Sequence, residues 1–119
     1  MARFRISAPA RADLEQILAT SLERWGEAGR TRYAALLAAA MRAIAREPEA
    51  AATRERAELS PGVRSMHIQY ARGSRGVKDP VHVIFYRATD KLIEIVRVLH
   101  ERMEPTHHIK RGRPARRRK

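Results

Sequence analysis

Apolar residues recur at helical spacing as far as Pro48, and from Met66 onward they recur at a spacing of two. That change of period is the strongest constraint on the fold. A chain that is helical first and strand-forming later buries its apolar surface by packing the helices on the sheet. In the first half, Leu14, Ile17, Leu18, Leu22 and Trp25 form one helical stripe. Ser7 stands ahead of it as an N-cap, with Pro9 in the first turn. Gly26 stops this helix and Gly29 falls in the connector. Tyr33, Leu36, Leu37, Ala40 and Ile44 mark a second, alanine-rich helix, ended by Pro48. A short connector predicts that the two helices form an antiparallel hairpin.

The strands are read from alternation. Arg3-Phe4-Arg5-Ile6 predicts a short strand with Phe4 and Ile6 inward. Residues 49–62 read as a helical remnant or loop, closed by the turn signal Ser60-Pro61-Gly62. Met66, Ile68 and Tyr70 alternate with Ser65, His67 and Gln69, as in a half-buried strand. Residues 72–80 are a basic, glycine-containing loop. Val81 to Tyr86 is the next strand, and Ala88 to Lys91 the turn after it. Leu92 to Leu99 is a nearly continuous apolar run, which predicts a central strand buried on both faces. One helical turn is expected within Glu101 to Ile109. The fold class is therefore α+β, in the order β–α–α–β–β–β. A helical hairpin packs on a small, mostly antiparallel sheet over residues 1–109, and a disordered basic tail spans residues 110–119.

Composition narrows the function classes. The 119 residues suffice for one domain. Hydrophobic residues make up 44% and aromatics only 5%, so the core must be mainly Ala, Leu, Ile and Val. There is no cysteine, which excludes disulfides, thiolate zinc sites and cysteine nucleophiles. Met1 to Ile6 contains no apolar stretch like that of a secretory leader. No apolar run approaches the ~20 residues of a membrane span. The expected location is the cytoplasm, away from membranes. The net charge is +12. The tail holds seven of the cations and no acid, which leaves residues 1–109 with +5. Such a chain seeks polyanions: nucleic acid or an acidic protein.

Several segments together resemble a known family. Glu23-Arg24-Trp25-Gly26 closes the first helix, Glu47-Pro48 follows the second, and Pro61-Gly62-Val63-Arg64 leads into the next strand. The last hairpin reads Val83-Ile84-Phe85-Tyr86-Arg87, then Ile93-Glu94-Ile95-Val96-Arg97-Val98-Leu99-His100-Glu101-Arg102-Met103-Glu104-Pro105. In order and spacing, over roughly residues 3–109, these are similar to the ParE/RelE-like toxin superfamily and closest to its ParE branch. The resemblance implies a small toxin held inactive by a cognate antitoxin that wraps around it, in a toxin–antitoxin hetero-oligomer. ParE-type members are associated with inhibition of DNA gyrase, and RelE-type members with cutting mRNA on the ribosome. The basic loop 72–80 and the extended tail depart from the shorter members.

Two sets of site residues follow. In the ParE reading the protein is a binding toxin rather than an enzyme. Arg97, His100 and Arg102 then meet the target, and Leu14, Leu18, Leu22 and Trp25 meet the antitoxin. In the RelE reading it is an endoribonuclease, which needs a base, an acid and positive charge for the phosphorane. Arg64, Tyr86, Arg97 and His100 are the candidates, drawn from a wider set with His67 and His82. Strand alternation puts Arg97 on a face with Ile93, Ile95 and Leu99, and His100 on the opposite one. Each candidate also has a structural reading. Tyr86 suits a core aromatic with a bonded hydroxyl, Arg97 an ion pair with Asp13 or Glu15, and His100 a backbone bond at the strand end. Trp25 reads first as core packing. No metal site and no cofactor is expected, since adjacent His107 and His108 cannot readily share one ion.

In the tail, Lys110-Arg111-Gly112-Arg113-Pro114 contains the Arg-Gly-Arg-Pro core of an AT-hook. Glycine lets the backbone sit deep in a narrow minor groove while the arginines line its floor. The plainer reading is a polyelectrolyte tail that binds any nucleic acid. A third role is therefore open, that of a DNA-binding accessory protein acting through its tail.

Overall fold

The computed structural model describes residues 3–71 and 76–109. The chain forms β1 (Arg3–Ile6), one helical run α1 (Ala8–Arg46), a very short β2 (Arg54–Glu55), β3 (Val63–His67), β4 (His82–Ala88) and β5 (Leu92–His100). Single 3₁₀ turns occupy Ile68–Tyr70 and Pro105–His107. The five strands lie in the order β1-β5-β4-β3-β2. β1 runs parallel to β5, and the other neighbours are antiparallel, so the sheet is mixed. No described helix is long and apolar enough to cross a membrane.

Ser7 starts α1 as its sequence suggests. Its hydroxyl accepts from the Ala10 N–H at 3.1 Å and donates to the Val96 carbonyl at 2.8 Å, tying the helix start to β5. Pro9 lies in the first turn, where its missing N–H costs nothing. The expected connector between two helices is a single residue. Gly26 alone leaves helical geometry, at φ 75° and ψ −174°, and Gly29 is already helical again. A straight helix of 39 residues would be about 58 Å long; the molecule's longest dimension is 49 Å. The kink lets both arms reach the same sheet. The first arm begins beside Ile95, whose carbonyl accepts from the Ser7 N–H. The second arm ends at Arg46, just before Pro48, whose carbonyl accepts from the hydroxyl of Tyr86, the ladder partner of Ile95.

Ala10, Ile17, Tyr33, Leu36, Leu37, Ala40 and Ile44 of α1 bury Ile84, Tyr86, Ile93, Ile95 and Val98 on one face of the sheet. On the other face Leu59 and Ile109 cover Val63, Phe85 and Leu99. A core on both faces explains why β5, the strand between β1 and β4, reads as a continuous apolar run.

Four local expectations are corrected. Phe4 is 42% exposed rather than inward, because β1 is an edge strand and α1 leads away from it toward the other end of β5. β3 covers Val63–His67, earlier than its alternation suggested, and Tyr70 projects from the 3₁₀ turn at 59% exposure. Residues 49–62 include β2, which pairs with β3. The ladder between β4 and β5 also slips. Phe85 faces Arg97 while Tyr86 faces Ile95, which leaves Val96 as an extra residue. Such a bulge reverses the facing of everything beyond it. Val98 therefore joins the helix-side core and Leu99 the other one. Arg97, opposite Phe85, therefore shares a face with Leu99 but no longer with Ile93 and Ile95, and His100 swings to the helix side.

Candidate partner-binding groove

Past the end of β1, the first arm of α1 runs along the uncovered edge of β5. Asp13 supplies what a missing strand would have supplied there. Its Oδ2 accepts from the Val98 N–H at 2.9 Å, and both carboxylate oxygens accept from the Arg97 guanidinium at 2.7 and 2.8 Å. A third Arg97 nitrogen donates to the His108 carbonyl at 2.8 Å. The ion pair with Asp13 is the one the sequence suggested. It holds the Arg97 pKa above its ordinary value, the hydrogen bond to Asp13 being the largest cause.

Between that arm and the ends of β4 and β5 lies a groove of about 610 Å³. Asp13, Ile17, Ser21, Arg24, Trp25 and Tyr33 line it from α1, and His82, Arg97, Val98, Leu99 and His100 from the strands. Gln16, Thr20, Lys78, Asp79, Val81, Met103 and His108 also line it. Trp25 is 54% exposed, so it is not a core residue here. Its ring lies 6.2 Å from that of Tyr33. A Cβ on Gly29 would come within 2.3 Å of the Trp25 Cβ, so only glycine lets the indole stem settle there. The shoulder beyond it is formed by Arg32, Gly76 and Val77, with Arg32 Nε donating to the Gly76 carbonyl at 3.1 Å.

At the floor, Tyr33 bridges α1 and β4. Its oxygen accepts from the Val81 N–H at 3.1 Å and lies 2.6 Å from His82 Nδ1. Burial is the main reason the Tyr33 pKa is raised. Burial also pushes His82 down to about 4, helped by the charges of His100 and His67. His82 is therefore neutral near pH 7. With the phenol donating to Nδ1, its proton sits on Nε2. The His82 and His100 rings meet edge to face at 5.7 Å. His100 Nδ1 accepts from the Arg102 N–H at 3.0 Å, the strand-end bond that its position suggested. Nearby, His67 Nε2 donates to Glu101 at 2.7 Å, and its Nδ1 accepts from the Gln69 N–H.

Of the residues singled out in the sequence, Arg97 and His100 thus share one groove with Trp25. Arg102 is exposed and joins them only through its backbone N–H. Leu14 and Leu18 pack half-buried against the chain's own core, whereas Leu22 is 42% exposed. Arg64 and Tyr86 lie elsewhere. Arg64 donates to the Pro48 carbonyl at 3.2 Å and to Thr53 Oγ1 at 2.8 Å. The Tyr86 hydroxyl donates to the same Pro48 carbonyl, and the ring is fully buried. Burial raises the Tyr86 pKa, opposed by Thr53 and Arg64. Lys110, Arg111, Gly112, Arg113 and Pro114 lie outside the described residues. No cluster of three or more possible metal ligands occurs among the described residues. Tyr33 was missed as a site residue. Its helical spacing marks a core position, and nothing local says that its hydroxyl meets a histidine 49 residues away.

A family model described as the ParE toxin of the type II toxin–antitoxin system parDE matches residues 4–105. Toxin ParE1 of Caulobacter vibrioides is 34% identical over 109 residues, covering 92% of this chain and 99% of that protein. Toxin ParE1 of Mycobacterium tuberculosis H37Rv is 34% identical over 103 residues, covering 86% of this chain and 92% of that protein. A solved chain from the chromosomal ParDE toxin–antitoxin system of P. aeruginosa superposes with a TM-score of 0.63, at 17% identity, covering 84% of this chain and 96% of that one. At that identity the likeness speaks for the fold.

Proposed function

Because this chain belongs to the ParE toxin family of type II toxin–antitoxin systems, we propose that it arrests growth by inhibiting DNA gyrase and is neutralised by a cognate antitoxin. In this reading it works in the cytoplasm as a binding protein rather than a nuclease. Arg97, His100 and Arg102 meet the target, and Trp25 and Leu22 offer the antitoxin an exposed apolar surface. Leu14 and Leu18 then shape that surface from beneath. The toxin–antitoxin complex is a hetero-oligomer.

One observation carries the choice against RNA cleavage. The four residues a nuclease would use fall into two separate pairs. Arg64 and Tyr86 face each other across β3 and β4. His100 pairs with His82, four residues along β4 from Tyr86 and so about 13 Å away. A base and an acid must reach one phosphodiester within hydrogen-bond distance. Each candidate also has a structural partner already, whether a carboxylate, a helix-end carbonyl or a backbone amide.

The test is a gyrase supercoiling assay on the purified protein, run beside mRNA cleavage on programmed ribosomes. Slowed supercoiling with intact mRNA is the expected result. Cut mRNA with normal supercoiling would overturn it and send attention back to Arg64, Tyr86, Arg97 and His100.

A further inference from the structure

A second cavity, of about 230 Å³, adjoins the groove. Trp25, Gly29, Arg32 and Tyr33 line it from α1, and Gly76, Val77 and Lys78 from the 72–80 loop, which the toxin reading leaves without a role. Gly76 stands at φ 87°, so close to Arg32 that a Cβ there would come within 2.9 Å of the Arg32 Cδ. Its carbonyl accepts from Arg32 Nε at 3.1 Å. That bond fixes the guanidinium through one nitrogen and leaves its two terminal nitrogens without a partner among the described residues. The Lys78 ammonium has none there either. No carboxylate lines the cavity. Trp25 is held by Gly29 and Tyr33 yet more than half exposed, and a preorganised aromatic of this kind loses little entropy on binding.

We propose that this cavity takes one unpaired nucleotide of a nucleic-acid strand, with its base stacked on Trp25 and its phosphate held between Arg32 and Lys78. A base of any kind stacks on an indole, and a guanidinium and an ammonium both donate to phosphate oxygens. Pockets for drug-sized ligands run to ~300–1,000 Å³, so this smaller one suits a single base and not a run of them. A base inside a duplex is covered by its neighbours and must leave the stack to enter a pocket. An apolar peptide side chain would find Val77 as the sole aliphatic wall. The net charge of +12 attracts a polyanion over a long range, which favours a strand over a free nucleotide. Nothing in this site depends on gyrase being the target.

Trp25 is the sole tryptophan of the chain, so its emission reports this cavity and not strands held by the basic tail. The full chain is titrated with oligothymidylate, oligouridylate, an abasic deoxyribose-phosphate strand of the same length and a paired hairpin. The two single strands are expected to quench the emission, and the abasic strand and the hairpin to leave it nearly unchanged. Quenching by either single strand supports the site, and the tighter of the two identifies DNA or RNA as its source. Lys78 is exposed, so Lys78→Gln should fold normally. It is expected to weaken the quenching and to lower its log–log salt slope by about 0.7, the share of one phosphate contact on a single strand. No quenching by either single strand, or equal quenching by the abasic strand or the hairpin, would overturn the proposal. An unchanged salt slope in Lys78→Gln would overturn the placement of the phosphate.

Discussion

Asp13 accepts three hydrogen bonds, two from the Arg97 guanidinium and one from the Val98 amide. Removing its carboxylate therefore strands a charge and a backbone donor together. The two side chains are only 14% and 21% exposed. Breaking a buried pair from one side costs more than the pair itself contributes, here about 2–4 kcal/mol after allowing for partial exposure. Asp13→Ala is expected to lower the urea midpoint by that much, and Asp13→Asn by less, because the amide oxygen can still accept from Val98. Equal losses in the two variants would mean that the charge matters and the edge amide does not. His82 bears on pH. Its pKa falls from 6.5 in the unfolded chain to about 4 in the folded one, chiefly through burial. The unfolded chain thus binds the proton first as pH falls. The contribution to stability is full above pH 6.5, declines through the window from 6.5 to about 4, and is gone below it. Between about pH 7 and pH 5 the loss is roughly 2 kcal/mol. His82→Gln should flatten that part of the urea-midpoint profile, and an unchanged slope would show that other groups set it.

At the scale of elements, the kink in α1 depends on one backbone position. Gly26 sits at φ 75° and ψ −174°, a region that is essentially closed to residues with a side chain. A Cβ there would meet nothing within 4 Å, so the penalty is purely conformational. Gly26→Ala is expected to cost about 1–3 kcal/mol in urea unfolding. A variant as stable as the parent would mean that the two arms keep their places without this backbone turn. The same element shows what was legible beforehand. The stripe from Leu14 to Trp25, the Ser7 cap and the stop at Pro48 are local signals, and the structure keeps the cap, the stop and the Leu14, Ile17 and Leu18 part of the stripe but leaves Leu22 and Trp25 exposed. So is the apolar run of β5. The bulge at Val96 has no local signal. It is a mismatch between two strands, and it alone decides that His100 rather than Leu99 faces the helix. Of the groove, the Asp13–Arg97 pair was readable as a charge needing a partner. The Tyr33–His82 bond was not, because it joins residues 49 apart whose meeting depends on the whole fold.

For the molecule as a whole, charge is distributed more unevenly than structure. Residues 1–109 carry +5 of the net +12, and the last ten residues carry the rest. Ile109 is buried beneath the sheet with Leu59 and Leu99, so the domain needs the chain up to that residue. A protein ending at Ile109 should therefore keep its urea midpoint while losing the seven terminal cations. If the tail binds DNA through about six phosphate contacts, the full chain has a log–log salt slope of about −5. Its affinity then falls ~1,000-fold between about 50 and 200 mM salt. Cutting at Ile109 should remove most of that slope, and gyrase inhibition should survive if the target is met through Arg97 and His100. Loss of inhibition with the fold intact would instead place the activity in the tail and favour the DNA-binding accessory role. An A-tract duplex bound no better than a mixed sequence would reduce Arg111-Gly112-Arg113-Pro114 from a minor-groove reader to part of a general polycation, because only the narrow groove distinguishes the two.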